Sequence, residues 1–154
     1  MDSFKDKPKV TIYTDGGCEP NPGMGGWGAV LLSRGRRKEI SGADSESTNN
    51  RMELTAAIRA LETLKKPCMV TLYTDSEYLK KGITEWMPSW KKRNWKRKSG
   101  ELKNVDLWKM LDKLIQKHDI DWNWVRGHTG VVENERCDVL ATLAREALRA
   151  KLSR

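Results

Sequence analysis

The side chains best suited to chemistry in this chain are its acids, and two of them occupy matching places. A β-branched run from Val10 to Thr14 leads into Asp15, and a second from Met69 to Thr74 leads into Asp75, each through Tyr-Thr-Asp. Such runs, closed by glycine or polar residues, read as strands. If the two strands lie side by side and parallel, Asp15 and Asp75 share the carboxyl edge of a sheet, where open α/β sheets place their sites. Glu53 stands near the start of an amphipathic segment, Arg51 to Lys65, and Asp138 in the first half of the last such segment. Each acid has an ordinary reading by itself. Asp15 and Asp75 could cap turns, Glu53 could close a capping box in Asn50-Arg-Met-Glu53, and Asp138 could complement a helix dipole. Taken together they predict a four-carboxylate cluster.

Electrostatics decide what such a cluster is for. Two carboxylates about 5 Å apart repel by roughly 3 kcal/mol at an effective dielectric of about 20. Four of them make six pairs, and the unscreened sum approaches the about 5–15 kcal/mol that holds a whole domain together. Either some acids are protonated or hard cations sit among them. Oxygen-only ligation with open positions suits Mg²⁺ or Mn²⁺ rather than zinc. Two such ions about 3.5–4 Å apart stabilise both the attacking and the leaving oxygen in phosphodiester cleavage.

The elements that must position these acids are legible in the periodicity. Trp27 to Leu32 reads as a second strand and Arg36 to Ser41 as a third, with Glu19-Pro-Asn-Pro-Gly23 and Arg34-Gly35 as turns, so strands one to three form an antiparallel meander. The amphipathic segment with Leu54, Ala57, Ile58, Leu61 and Leu64 on one face is a helix crossing to the Met69–Thr74 strand. A right-handed crossover then gives the order 3-2-1-4 and brings Asp15 beside Asp75. Ser76 to Trp95 reads as short helices interrupted near Gly82 and Pro88; a clear amphipathic helix begins near Asn104; Ile120 to Val125 is a fifth strand; Cys137, Leu140, Ala141, Ala144 and Leu148 line a final helix. His118, near a helix end, reads as a cap. Gly23-Met-Gly-Gly-Trp-Gly28 matches GxGxxG, but a strand rather than a helix follows it, which removes the dinucleotide reading. No solenoid repeat or linker divides the chain, so residues 1–154 are expected to form one α/β domain, with 1–8 flexible and no separate binding domain.

Composition narrows the class. The 154 residues are 38% hydrophobic and 32% charged, which fits a soluble globular domain. The longest apolar run, Ala29 to Leu32, is far too short to span a bilayer, and the first nine residues lack a secretory apolar region. Three cysteines without a CxxC pair argue against a disulfide framework or zinc ribbon, so a reducing, cytoplasmic setting is expected. The net charge is +8, and six of its cations crowd into Lys91-Lys-Arg-Asn-Trp-Lys-Arg-Lys98, interleaved with tryptophan. Such a patch suits phosphate backbones.

The motifs in order, Tyr-Thr-Asp15-Gly-Gly-Cys-Glu-Pro-Asn-Pro-Gly23, Thr48-Asn-Asn-Arg-Met-Glu-Leu54, Thr74-Asp-Ser76, Lys103-Asn-Val-Asp-Leu-Trp108 and Gly127-His with Glu133-Asn-Glu-Arg-Cys-Asp138, closely resemble bacterial-type ribonuclease HI. The likeness runs from about Val10 to Leu148. It implies a five-stranded mixed sheet, order 3-2-1-4-5, flanked by helices on both faces. It implies a metal-dependent endonuclease that cuts the RNA strand of an RNA–DNA hybrid, leaving 5′-phosphate and 3′-hydroxyl ends. Asp15, Glu53, Asp75 and Asp138 match the family's metal-binding carboxylates, with Mg²⁺ as cofactor, Mn²⁺ as substitute and two ions once substrate is bound. His128 matches a loop histidine that moves protons or aids product release, work for which a pKa near 6.5 suits it. Asn21, Asn49 and Asn50, with the backbone near Cys18 and Glu19, match a reader of the 2′-hydroxyl, and Thr48 a holder of a DNA-strand phosphate. The basic protrusion implies substrate contacts from Trp86, Lys91, Lys92, Arg93, Trp95 and Lys96, with Trp90 mostly structural. Glu77 stands where relatives often carry Gln, beside a minor-groove contact; Gly17 replaces a common Ser; Val131 and Val132 replace His or Pro. The partner implied is the hybrid duplex, with no membrane, no obligate protein partner and a monomeric state. An integrase-like or junction-resolving DNA nuclease of the same superfamily, and a non-catalytic hybrid-binding module, are the competing readings.

Overall fold

The computed structural model describes residues 7–96, 102–126 and 131–154. Strands β1 (Lys9–Cys18), β2 (Gly23–Ser33) and β3 (Arg36–Ser47) form the meander; α1 (Asn49–Glu62) crosses to β4 (Met69–Thr74). Then come α2 (Glu77–Lys81), a π-helical turn (Gly82–Trp86), α3 (Met87–Lys92), α4 (Val105–Lys117), β5 (Asp119–Trp124) and α5 (Val132–Leu152). The strands form one sheet in the order β3-β2-β1-β4-β5, with β1, β4 and β5 parallel. The expected mixed sheet and its order are borne out.

The alternation of each strand divides the apolar residues between two layers. Val10 and Ile12 of β1 and Val70 and Leu72 of β4 meet Leu54, Ala57, Ile58 and Leu61 of α1 and Leu107, Trp108 and Leu111 of α4 in the main core. On the other face Val30 meets Cys137 and Leu140 of α5, with Tyr13 and Leu32 packed against them. The parity rule of strands thus puts a large core under α1 and α4 and a smaller one under α5.

Several elements depart from their sequence limits, and three departures have a clear local reason. β1 does not stop at Thr14; its ladder to β2 continues through Asp15↔Gly28 to Cys18↔Gly25, so Asp15 lies inside the strand. Glycines that disfavour a strand by propensity are held there by pairing, and they let helices approach closely. α1 begins at Asn49 because the Thr48 hydroxyl accepts from the Arg51 N–H at 3.2 Å. Its third residue is therefore Arg51, the capping box expected over Asn50–Glu53 does not form, and the Glu53 side chain is left for another purpose. The helical stretch after Ser76 is not interrupted. The Met87 N–H reaches back five residues to the Gly82 carbonyl, and this shift of the hydrogen-bond ladder falls just before Pro88, which has no N–H to give.

At the other end of the sheet, Pro8's carbonyl accepts from Met69 and Lys7 lies 3.6 Å from Asp119. The flexibility expected of residues 1–8 otherwise concerns residues 1–6, which lie outside the described residues. His118 closes α4, its N–H bonding the Leu114 carbonyl. Its Nδ1 also accepts the Cys68 N–H at 3.0 Å, tying the entry of β4 to the end of α4. Burial lowers the His118 pKa, and Nε2 is buried without a partner among the described residues. Protonation would charge a buried ring and convert its accepting nitrogen into a donor facing another donor. A folded-state pKa below the unfolded value of about 6.5 means the contribution is present above that pH and is lost as pH falls through it. Urea unfolding at pH 8 and pH 5.5 is expected to show the native chain losing more stability across this window than His118→Gln; equal losses would remove the linkage.

Candidate active site

The site begins with a close approach of backbone. At Gly16, one residue past Asp15, α1 crosses β1 so tightly that an added Cβ would lie 2.4 Å from the Met52 carbonyl oxygen. Only glycine permits that crossing. It allows the Gly16 N–H to donate to Glu53 Oε1 at 3.2 Å, which fixes the Glu53 carboxylate over the end of β1. Asp75 follows directly from the paired β4. One carboxylate oxygen from each of Asp15, Glu53 and Asp75 lies within 4.8 Å of the others. Asp15 is only 5% exposed. Ser76, buried beside them, caps α2 by accepting from the Leu79 N–H at 3.0 Å.

Burial first, then the charges of Asp15 and Asp75, push the Glu53 pKa well above the usual carboxylate value. The Glu53 Oε2 atom is buried with no hydrogen-bond donor among the described residues. A carboxylate oxygen in that position, next to two more carboxylates, is the donor set a hard dication requires. The three acids open onto a depression of about 400 Å³ that Asn49, Asn50, Glu77 and Tyr78 also line. Asp138, exposed on α5, faces the same depression from its rim but does not belong to the tight group of three. The expected cluster is thus three close acids and one outlying acid.

A family model described as RNase H matches residues 7–146. A ribonuclease H of Gluconobacter oxydans is 57% identical over 93% of this chain and 96% of its own length. A ribonuclease HI of Pseudomonas aeruginosa is 57% identical over 88% of this chain and 93% of its own. Among solved structures, LC9-RNase H1, described as a type 1 RNase H with the type 2 active-site motif, superposes with a TM-score of 0.83 at 32% identity, covering 96% of this chain and 75% of that one. LC11-RNase H1, solved in complex with an RNA/DNA hybrid, gives 0.70 at 25% identity over 90% and 98% of the two chains. The chain belongs to the ribonuclease H family. As a ribonuclease H it is a metal-dependent endonuclease, and its carboxylates are the natural place for the metal.

Around this ribonuclease H centre the structure gives each expected substrate residue a definite position. Asn49 Oδ1 accepts the Cys18 N–H at 2.7 Å, and Asn21 Oδ1 accepts the Asn49 N–H at 3.0 Å. Both amide oxygens are therefore engaged in holding the β1–β2 turn against α1. Their NH₂ groups remain as donors and each oxygen keeps a second lone pair, so both amides can still donate to and accept from a hydroxyl. Glu19 is drawn toward α5, its carboxylate 3.2 Å from Arg145 and its carbonyl accepting from Arg149 at 2.9 Å. Thr48 spends its hydroxyl as the acceptor that caps α1.

The three tryptophans of the basic stretch form one cluster. Trp86, Trp90 and Trp95 are all half-buried against the main core, with ring centroids 5.8 Å apart for Trp86–Trp90 and 6.4 Å for Trp90–Trp95. Trp90, expected to be mostly structural, lines a depression of about 410 Å³ together with Trp86, Tyr78, Asn50, Lys103 and Asn104; Trp95 does not. Lys91 is paired with Asp112 on α4 at 3.1 Å, so part of its charge is committed within the protein. Lys92, Arg93 and Lys96 are exposed. Arg97, Lys98 and the loop carrying His128 lie outside the described residues.

Sequence reasoning passes over Tyr78, which borders both depressions. Its hydroxyl accepts from Asn104 Nδ2 at 2.9 Å and from Trp108 Nε1 at 3.2 Å. Asn104 Oδ1 in turn accepts from Arg51, whose guanidinium also grips Asp106 at 2.9 Å. The signal is its spacing, three residues after Asp75 at the start of a helix. Removing one charge from the acid group gives a direct check of its electrostatics. Asp75→Asn is expected to raise metal-free stability by about 1–3 kcal/mol, since each carboxylate pair at this separation repels by roughly that amount. The same substitution is expected to shrink the thermal shift produced by Mg²⁺. Melting curves with and without Mg²⁺ measure both effects.

Proposed function

We propose that this ribonuclease H hydrolyses the RNA strand of RNA–DNA hybrids by two-metal-ion catalysis and leaves 5′-phosphate and 3′-hydroxyl ends. The observation that carries the reading is the meeting of Asp15, Glu53 and Asp75 within 4.8 Å, with a buried Glu53 oxygen that lacks a donor among the described residues. The hybrid as substrate is supported by the relative solved with an RNA/DNA hybrid bound. Asp15, Glu53, Asp75 and Asp138 would hold Mg²⁺, or Mn²⁺ in its place. When bound, the ions supply Lewis-acid stabilisation of charge on the attacking and leaving oxygens.

The chain's own groups do the rest. Gly16 N–H orients the Glu53 carboxylate. Asn49 and Asn50 border the acids on the side of α1, with Asn21 bonded behind Asn49, and their NH₂ groups can meet 2′-hydroxyl and base-edge acceptors of the minor groove. Cys18 and Glu19 supply backbone there, Thr48 a phosphate contact at the helix start, and Glu77 borders the acids from α2. Trp86 and Trp90 offer aromatic faces to sugars in the neighbouring depression, while Lys92, Arg93 and Lys96 follow phosphates, with Lys91 and Trp95 bracing them. His128 serves proton transfer or product release. The enzyme acts as a cytoplasmic monomer, a single ribonuclease H domain without an obligate protein partner.

Incubation with hybrid, double-stranded RNA and duplex DNA in Mg²⁺, with an EDTA control, tests the assignment; cleavage confined to the hybrid and abolished by EDTA is expected. Cleavage of duplex DNA, or an intact hybrid, would overturn it. Asp15→Asn is expected to abolish hydrolysis while hybrid binding stays within a few-fold. Replacing Lys92, Arg93 and Lys96 with Ala is expected to raise KM with modest change in kcat. It should also reduce the steepness of the log–log salt dependence by about 0.9 for each phosphate the protein no longer neutralises. Lys91→Ala, which breaks the pair with Asp112, is expected to affect stability more than binding. Steady-state kinetics across a salt series separates these variants.

A further inference from the structure

Asp138 reaches the acid group from a different layer than the other three, so its distance depends on how closely α5 rests on the sheet. That contact is bare of side chains at two glycines of β2, Gly26 beneath Ala141 and Gly28 beneath Cys137 and Leu140, and Gly28 is the one nearer Asp138. Gly28 lies directly across the β1–β2 ladder from Asp15, underneath α5. A Cβ built on Gly28 would stand 2.7 Å from the Cys137 carbonyl oxygen and 2.7 Å from Leu140 Cβ. Cys137 immediately precedes Asp138. A carbon normally stays about 3.3–3.6 Å from a carbonyl oxygen, so a methyl there must drive the helix outward by roughly half an ångström or more. The fully buried Cys137 thiol makes a second tie at the same level, donating to the Tyr13 carbonyl at 3.2 Å, two residues before Asp15. Strand backbone and helix backbone are thus clamped together beside two of the four acids.

We propose that Gly28 is a positioning residue for Asp138. The absence of a side chain at Gly28 sets how far α5 stands from β1 and hence the gap between Asp138 and the Asp15–Glu53–Asp75 group. Through that gap it sets the affinity for a divalent cation. This rests on the reading of Asp138 as a cation ligand. Gly28 touches neither substrate nor metal; it acts through the helix that carries Asp138.

Mn²⁺ titration calorimetry on the whole chain, without substrate, tests this. The proteins compared are the native chain, Gly28→Ala, Asp138→Asn and the double variant, each checked for folding by circular dichroism. Removing the ligand in Asp138→Asn is expected to weaken Mn²⁺ binding about tenfold, and displacing it in Gly28→Ala several-fold, as changes behind a ligand commonly do. If Gly28 acts through Asp138, the double variant binds no worse than Asp138→Asn alone, within about twofold. Native affinity in Gly28→Ala, or the same loss in both backgrounds, would overturn the inference. Native affinity in Asp138→Asn would instead remove the reading of Asp138 on which it rests. Should Gly28→Ala fail to fold, Cys137→Val supplies the same test, because extra bulk at a buried position wedges the same helix from the same sheet. It must weaken Mn²⁺ binding in the native background and leave the Asp138→Asn background unchanged; any other pattern counts against the proposal.

Discussion

Like charges forced together at the edge of a sheet are the constraint from which the rest of this structure follows. Asp15, Glu53 and Asp75 would ease apart once ionised if their backbones could move, because ionised neighbours repel and burial adds to the cost of charging Glu53. They do not move because each is anchored by a separate part of the main core. β1 pairs with β4 from Lys9 to Tyr13 and with β2 beyond Asp15, and α1 buries Leu54, Ala57, Ile58 and Leu61 against the sheet. Burial of such side chains contributes about 1.5–3 kcal/mol each, enough in sum to hold a repulsive group that a cation then neutralises. The protein stores at its active edge an electrostatic cost that the ligand relieves.

The two layers divide that task unequally. The large core under α1 and α4 fixes the three close acids, and its polar edge continues outward through Tyr78, Asn104 and Arg51. The small core under α5 consists of Val30, Cys137 and Leu140 with Tyr13 and Leu32 at its border, and the helix over it carries Asp138. Ion pairs from Arg37 to Glu133 and from Arg136 to Glu39 lace the same helix to β3, but at the surface, where such pairs contribute little. Three acids therefore lie beside the large core and one on the helix that covers the small core.

Much of this is readable in the chain. The echo of Tyr-Thr-Asp at two strand ends, with the crossover rule, is enough to bring Asp15 beside Asp75, because strand parity and right-handed connection leave few alternatives. What escapes is decided by tertiary contact. Glycines 16, 17, 25 and 26 belong to a strand only because partner strands hold them, so β1 and β2 look shorter in sequence than they are. Glu53 looks like a capping residue only while Asn50 is taken as the helix start; the Thr48 hydroxyl, two residues earlier, is the cap that forms. Which tryptophan faces a substrate is hidden for another reason. Rings in one cluster share their burial, and neither spacing nor composition says which edge faces the solvent. Lys91 illustrates the same limit for charge: a cation in a basic run is free only if no acid, here Asp112, waits across the groove.

The unbroken helical path after Ser76 turns the basic turn and the acid cluster into parts of one rigid body. Its 16 residues, Glu77 to Lys92, begin two positions after Asp75 and make a strut about 24 Å long. A duplex gripped at the far end of such a strut cannot slide independently of the near end. If the duplex is held as proposed, the length of this helix is the spacing between the grip and the acids.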